Sequence, residues 1–85
     1  MSIGLADTMT TGYLNLVGAS STRAAQLQNI MLTGNDAAKA AAQLENSKLT
    51  TAINMMNTFI EFWNKIKGFL LKLIGAANEL LPRGS

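Results

Sequence analysis

Residues 49–80 read LTTAINMMNTFIEFWNKIKGFLLKLIGAANEL, and apolar side chains recur in this stretch at alternating steps of three and four. That spacing fills the a and d positions of a heptad repeat on one face of an α-helix, for more than four repeats without a slip. The repeat predicts a long helix with a continuous apolar face. We name this set the a/d seam, and its members are Leu49, Ala52, Met56, Phe59, Trp63, Ile66, Leu70, Leu73, Ala77 and Leu80.

The positions beside the seam are mostly apolar as well, where an ordinary two-stranded coiled coil carries charges. They widen the apolar face to more than half of the helix circumference: Ile53, Met55, Ile60, Phe62, Phe69 and Ile74. Such a helix needs more than one neighbour, and the rest of the chain has too few large apolar residues to supply them all. The sequence therefore predicts a homo-oligomer or filament whose assembly interface contains Leu49, Ala52, Met56, Phe59, Ile60, Trp63, Ile66, Leu70, Leu73 and Ile74.

Length and composition favour oligomerisation too. A chain of 85 residues forms one small domain, whose core is marginal unless disulfides, a metal or association with other chains supports it. Cysteine and histidine are both absent, which excludes disulfides, thiol chemistry, imidazole catalysis and the commonest zinc ligands. The net charge of +2 comes with no basic stripe interleaved with aromatic residues, so we expect no nucleic-acid partner.

Residues that could carry chemistry are sparse. The carboxylates occur singly, without the i, i+3 or i+4 pairing that builds an acid/base or metal site, and no glycine-rich phosphate-binding motif is present. The sequence predicts no catalytic residue, no cofactor and no metal, and hence not an enzyme. The carboxylates are Asp7, Asp36, Glu45, Glu61 and Glu79.

The chain is predicted to be all-α, a helical hairpin with a long C-terminal amphipathic helix and a weakly ordered N-terminal segment. Residues 34–36 form the turn, because Gly34 can end a helix in the left-handed conformation and Asn35 or Asp36 can cap the next helix. A first helix over residues 22–33 precedes the turn, and a second helix over residues 37–75 follows it. The tail comprises residues 76–85.

The N-terminal segment, residues 1–21, is expected to be mobile or weakly helical. Its apolar residues fall at helical spacing, but they are out of phase with the set that includes Ala24, Leu27 and Met31. Residues 18–22, Gly-Ala-Ser-Ser-Thr, lie between the two sets. Short hydroxyl side chains compete for backbone hydrogen bonds, so we expect a break there.

The two ends of the chain bear on its location. Residues 1–11 contain no Lys or Arg and no apolar core with a cleavage site, which argues against a cleaved secretory signal. The longest apolar stretch, of about 16 residues, is shorter than the roughly 20 that a membrane-spanning helix requires. Residues 81–85, Leu-Pro-Arg-Gly-Ser, look like a protease site derived from an expression vector.

An alternative interpretation of the long helix is a cationic amphipathic membrane-active segment. Apolar bulk lies on one side of residues 62–74 and lysines lie towards the other, as in helices that bind in the plane of a lipid surface. The candidate lipid contacts are Phe62, Lys65, Lys67, Phe69 and Lys72.

Residues 34–74 resemble the needle or pilus subunits of bacterial type III secretion systems. The resemblance rests on the Gly34-Asn35-Asp36 turn, on Gln43, on Thr51 with Ile53-Asn54, on residues 58–60 and on the closing run 66–74. It implies hairpins that stack into a hollow secretion filament, with the C-terminal helices around the lumen. It also implies a virulence-associated protein that is cytoplasmic before export, is secreted without a cleaved signal, and is found at the bacterial cell surface.

Two features depart from that family. The turn lacks the proline often found between the two helices, and residues 75–85 run past the point where family members usually stop. Three hypotheses therefore stay open: a self-assembling filament subunit, a membrane-active helical protein, and a small partner-binding or chaperone-like component of a secretion system. Secretion chaperones are a further class of partner under the first hypothesis.

Overall fold

A computed structural model describes residues 3–80, which form two helices, α1 (Ile3–Thr33) and α2 (Asp36–Leu80). They pack side by side as an antiparallel hairpin, a rod of about 73 × 15 × 15 Å. The predicted all-α hairpin with a long C-terminal helix is therefore confirmed. Residues 81–85, interpreted above as vector-derived, lie outside the described residues.

The turn between the helices consists of Gly34 and Asn35, and Asn35 makes the hydrogen bonds that begin α2. The Asn35 side-chain Oδ1 accepts a hydrogen bond of 2.8 Å from the Ala38 backbone N–H, which caps α2. The Lys39 backbone N–H donates a hydrogen bond of 2.8 Å to the Asn35 carbonyl, at the start of α2. The capping role predicted for Asn35 or Asp36 is thus filled by Asn35.

Gly34 has a different reason for being glycine than the one we expected. Its φ lies outside the left-handed region, so it does not end α1 in that conformation. An added Cβ would instead lie 2.7 Å from the Ile30 carbonyl oxygen and 3.1 Å from the Ala38 Cβ. Gly34 is needed because the two helices turn back on each other with no room for a side chain.

The helix α1 is continuous from Ile3, so the break expected at residues 18–22 and a first helix confined to residues 22–33 are wrong. The hydroxyls that were expected to disrupt the helix bond back within it: Thr8 Oγ1 donates to the Gly4 carbonyl at 2.8 Å, and Thr22 Oγ1 to the Gly18 carbonyl at 3.1 Å. The mobility predicted for residues 1–21 stays a prediction.

The side of α1 that faces α2 also repeats at steps of three and four, without interruption. Its members are buried or half-buried: Ile3, Ala6, Thr10, Tyr13, Val17, Ser20, Ala24, Leu27 and Met31. The two halves of α1 looked out of phase because Thr10 and Ser20, which are small polar residues, occupy two of the positions that face α2. Tertiary packing against α2 supports a stretch whose own helix propensity is weak.

The interior of the hairpin is thin. Ala6, Leu27 and Ala42 are the buried residues of the described chain, and Leu27 is the one large side chain that is fully buried. Alanines at this contact let the helix axes approach closely. They contribute little apolar area, however, so the hairpin has a small core for its length.

Candidate assembly surface

Most residues of the predicted assembly interface pack within the hairpin. Leu49, Ala52, Met56, Ile60, Trp63, Ile66 and Leu70 are half-buried against α1, whereas Leu73 and Ile74 are exposed. Phe59 stacks on Tyr13 of α1, with ring centroids 5.4 Å apart and planes 14° from parallel. A substitution in the half-buried part of the seam would therefore disturb the hairpin itself as well as any contact between copies.

Trp63 illustrates this inward packing. The indole Nε1–H is buried and has no acceptor among the residues the structure describes. A buried donor without a partner costs about 1–3 kcal/mol. The ring nevertheless packs inside the hairpin, where its apolar body covers α1.

Two ion pairs between the described residues cross from one helix to the other at the surface. Lys67 Nζ donates to Asp7 Oδ1 at 2.6 Å near the open end of the hairpin. Nearer the turn, Arg23 forms a two-pronged contact with Glu45, from Nε to Oε2 at 2.6 Å and from Nη2 to Oε1 at 3.1 Å. The hydrogen bond from Arg23 lowers the pKa of Glu45 below its ordinary value, and the contact with Glu45 raises the pKa of Arg23.

These contacts also identify the two flanks of the hairpin. With Ala6 and Tyr13 at d positions of α1, Asp7 is an e residue, and Lys67 is the e residue that follows Ile66. Their ion pair therefore marks the flank where the e positions of both helices meet. The g positions of both helices lie along the opposite flank.

The g flank of α2 carries an exposed apolar row that we name the outer stripe. It also follows steps of three and four, because it combines g positions with the outermost d positions. Its exposed members are Met55, Phe59, Phe62, Phe69 and Leu73, with exposed fractions from 42% to 61%, and half-buried Ile66 lies between them. No charged residue occupies this row from residue 55 to residue 73.

A shallow apolar groove on α1 adjoins the outer stripe. Met9, Gly12, Tyr13 and Leu16 line it, together with Thr8. Because Tyr13 is stacked on Phe59, the groove and the stripe form one apolar surface that extends over both helices. Open space surrounds the position where a Cβ on Gly12 would lie.

The C-terminal end of α2 has no helix beside it among the described residues. The helix α2 has 45 residues against 31 in α1, and it continues through Gly75 to Leu80, five residues past the predicted end at residue 75. All residues from 71 to 80 are exposed, including the large apolar side chains of Leu71, Leu73, Ile74 and Leu80. About 15 Å of amphipathic helix thus extends past the start of α1.

The candidate lipid contacts divide into two groups. Phe62, Lys65, Phe69 and Lys72 are exposed, the two phenylalanines as part of the outer stripe and the two lysines beside it. Lys67 instead lies on the opposite flank, where it is paired with Asp7. Four of the five residues thus share one exposed surface.

Sequence reasoning missed that α2 carries two overlapping rows with the same periodicity. The signal was available, since the apolar g residues Met55, Phe62 and Phe69 recur every seven positions. Within the described part of the chain, no helix is long and apolar enough to span a bilayer. Comparison with protein-family models, curated proteins and solved structures gives no match, so the resemblance to type III needle subunits stays a prediction.

Proposed function

We propose that this chain is a self-assembling structural subunit of a filament. The observation that carries the proposal is the imbalance between its interior and its surface. Among residues 3–80, one large side chain is fully buried, whereas fourteen large apolar residues are exposed, most of them on the outer stripe, on its flanks and on the free end of α2. Apolar surface on this scale marks an interaction site.

The shape of the subunit suits a filament. A rod 73 Å long and 15 Å wide has almost all of its surface on its sides, so lateral contacts between parallel rods bury the most area. A contact that joins different patches on two copies closes into a ring if the rotation between copies closes, and otherwise continues as a fibre. The exposed end of α2 and the outer stripe provide two such patches on one subunit.

The resemblance to type III needle and pilus subunits gives the proposal its biological form. In this form the C-terminal helices pack around a lumen, and the filament is a conduit for secreted proteins. The hairpin with a longer second helix is consistent with that arrangement. Export of the full-length chain into the medium by a bacterium with a working type III machine, and its retention when the machine is inactive, is the expected outcome.

Self-assembly is tested with the purified chain in lipid-free buffer. Sedimentation velocity from about 1 to 200 μM, the range in which an association of about −6 to −8 kcal/mol becomes visible, should show growth with concentration. Negative-stain microscopy of the concentrated sample should show fibres of uniform width. A chain that sediments as a monomer throughout and forms no fibres would refute the proposal.

A second candidate function, binding to a membrane surface, is favoured by one observation. Exposed Lys65 and Lys72 lie beside exposed Phe62 and Phe69, an arrangement in which rings enter the lipid interface while ammonium groups meet anionic headgroups. If this is the function, leakage of anionic vesicles should fall as salt rises to about 0.5 M, where the screening length is a few ångströms. A variant with Lys65→Gln and Lys72→Gln should lose leakage.

The same variant separates the two functions. Filament formation is driven by apolar burial, so the glutamine variant should still associate in lipid-free buffer. Strong leakage by the unmodified chain, abolished in the variant and accompanied by no association in buffer, would favour the membrane function over the filament.

A further inference from the structure

We infer that the outer stripe, with the groove of Met9, Gly12, Tyr13 and Leu16 beside it, is the surface on which a second copy of this chain docks. This inference rests on the proposed function and specifies its interface. The sequence alone pointed to the a/d seam, but the half-buried part of that seam already packs on α1.

The area of the surface fits a protein partner. Taking about 200 Å² for a large side chain that is fully exposed, the exposed fractions correspond to about 700 Å². The residues counted are Met9, Leu16, Met55, Phe59, Phe62, Phe69 and Leu73. That value exceeds the largest apolar patch of a typical monomer, about 300–600 Å², and approaches the roughly 800 Å² that each partner buries in a standard interface.

The composition fits as well. The centre of the surface is aromatic and methionine-rich and lacks charge, whereas charged residues begin at its rim with Lys65 and Lys72. Protein interfaces have this arrangement, with aromatic residues and methionine enriched and charges depleted at the core.

Two of its rings contact other aromatic rings of the chain. Phe59 stacks on Tyr13 of α1, and Phe62 and its neighbour Trp63 form an edge-to-face pair with centroids 5.2 Å apart and an interplanar angle of 65°. Rings that are already fixed lose little side-chain freedom when a partner covers them.

The periodicity selects another helix of this chain as the occupant. The outer stripe has the same alternating spacing of three and four as the row that packs on α1, so its side chains can interdigitate with those of a parallel or antiparallel helix. The surface is also continuous with the hairpin contact through Phe59 and Ile66. A second copy supplies a helix of matching spacing and equal length.

Cysteine cross-linking tests this surface directly because the chain contains no cysteine. We compare single variants Phe62→Cys and Phe69→Cys with Asn57→Cys and Asn64→Cys. All four sites lie in α2. The two asparagines are exposed b positions on the side of α2 opposite the outer stripe, so they serve as controls. Each variant is oxidised alone and in a mixture with the other variant of its pair, because a parallel contact joins equal positions and an antiparallel contact joins position 62 to position 69. Under mild oxidation in lipid-free buffer, the two phenylalanine variants, alone or mixed, should form disulfide-linked dimers at least about tenfold faster than the asparagine variants treated in the same way.

A non-covalent test uses Phe62→Gln with Phe69→Gln, and Asn57→Gln with Asn64→Gln as the matched control. Neither phenylalanine is part of the buried interior, so far-ultraviolet circular dichroism should show an unchanged helix content. The phenylalanine variant should weaken self-association at least about tenfold, and the control should associate like the unmodified chain.

The outcomes separate this inference from the proposed function. Self-association that survives the Phe62 and Phe69 changes, with equal cross-linking on both sides of α2, overturns the outer stripe as the interface and leaves the filament proposal standing. An unmodified chain that never associates refutes both. If the phenylalanine variant loses vesicle binding but keeps its self-association, the surface is a lipid-binding face and the inference is wrong.

Discussion

Leu27 provides the sharpest test of the hairpin, because the same substitution can be made at Leu32 in the same helix. Leu27 is 1% exposed and Leu32 is 80% exposed. Replacing each by alanine removes the same atoms, and the difference in helix propensity between leucine and alanine is small. The difference between the two variants therefore reports the burial of Leu27 between the helices.

The expected size follows from the packing. Leucine-to-alanine changes in protein cores cost about 2–5 kcal/mol, and the cost falls where neighbours can move into the space. Two helices with a thin interior can approach each other, so we expect about 2–3 kcal/mol for Leu27→Ala. Leu32→Ala should stay within about 0.5 kcal/mol of the unmodified chain, as exposed substitutions do.

That loss is large for this molecule. Stabilities of about 0.05–0.15 kcal/mol per residue give roughly 4–13 kcal/mol for an 85-residue chain. Because the described part of the chain has one large side chain that is fully buried, the hairpin belongs at the lower end of this range. Leu27→Ala should remove about half of its stability.

Urea unfolding followed by circular dichroism measures both variants. If the free energy of unfolding falls by about 1 kcal/mol per M urea, the midpoint should fall by about 2–3 M for Leu27→Ala and by less than about 0.5 M for Leu32→Ala. The experiment is run at a concentration where sedimentation shows monomers, so that contacts between copies do not contribute. Equal losses at the two positions would refute the assignment of Leu27 to the hairpin interior.

Three further predictions concern the turn and the ion pair near it. Gly34→Ala should destabilise the hairpin by about 1–3 kcal/mol because its Cβ would meet backbone, whereas Gly12→Ala should stabilise it by about 0.5–1 kcal/mol; urea midpoints in the reverse order would contradict this. Asn35→Ala should cost about 1 kcal/mol through loss of the α2 cap, and Asn35→Ser should restore most of it. The pKa of Glu45 is lowered in the folded chain, so its stabilising effect is present above the ordinary glutamate pKa and is lost as pH falls through the lowered value; Glu45→Gln should flatten that part of the pH–stability curve, and an unchanged curve would refute the role of the ion pair with Arg23.

Much of the fold could be predicted from local sequence. The seven-residue periodicity of residues 49–80 specifies a long amphipathic helix, and the Gly34-Asn35-Asp36 run specifies where the chain turns. It also limits the cap of α2 to Asn35 or Asp36, of which the structure uses Asn35. Both features depend on side chains within one or two helical turns, where spacing and capping chemistry act directly. The absence of cysteine and histidine excluded several kinds of chemistry in the same local way.

The candidate site was only partly predictable, because the apolar face of α2 is wider than one partner helix can cover. The apolar residues of α2 are evident in the sequence, but their spacing does not show whether the a/d seam or the outer stripe faces α1. That choice depends on the partner helix, and the contacts of Tyr13 with Phe59 and of Asp7 with Lys67 show which face of α2 lies against α1.

The continuity of α1 is the clearest case in which tertiary structure decides. Gly18 and the Ser-Ser-Thr run after Ala19 have weak helix propensity, and sequence reasoning placed a break there. Ser20 is half-buried on the side of α1 that packs against α2, and the Thr22 hydroxyl donates a hydrogen bond to the Gly18 carbonyl. Sequence by itself thus determined two helices and a capped turn, whereas the structure decided how far α1 extends and which face of α2 stays open, because both depend on contacts between residues distant in the chain.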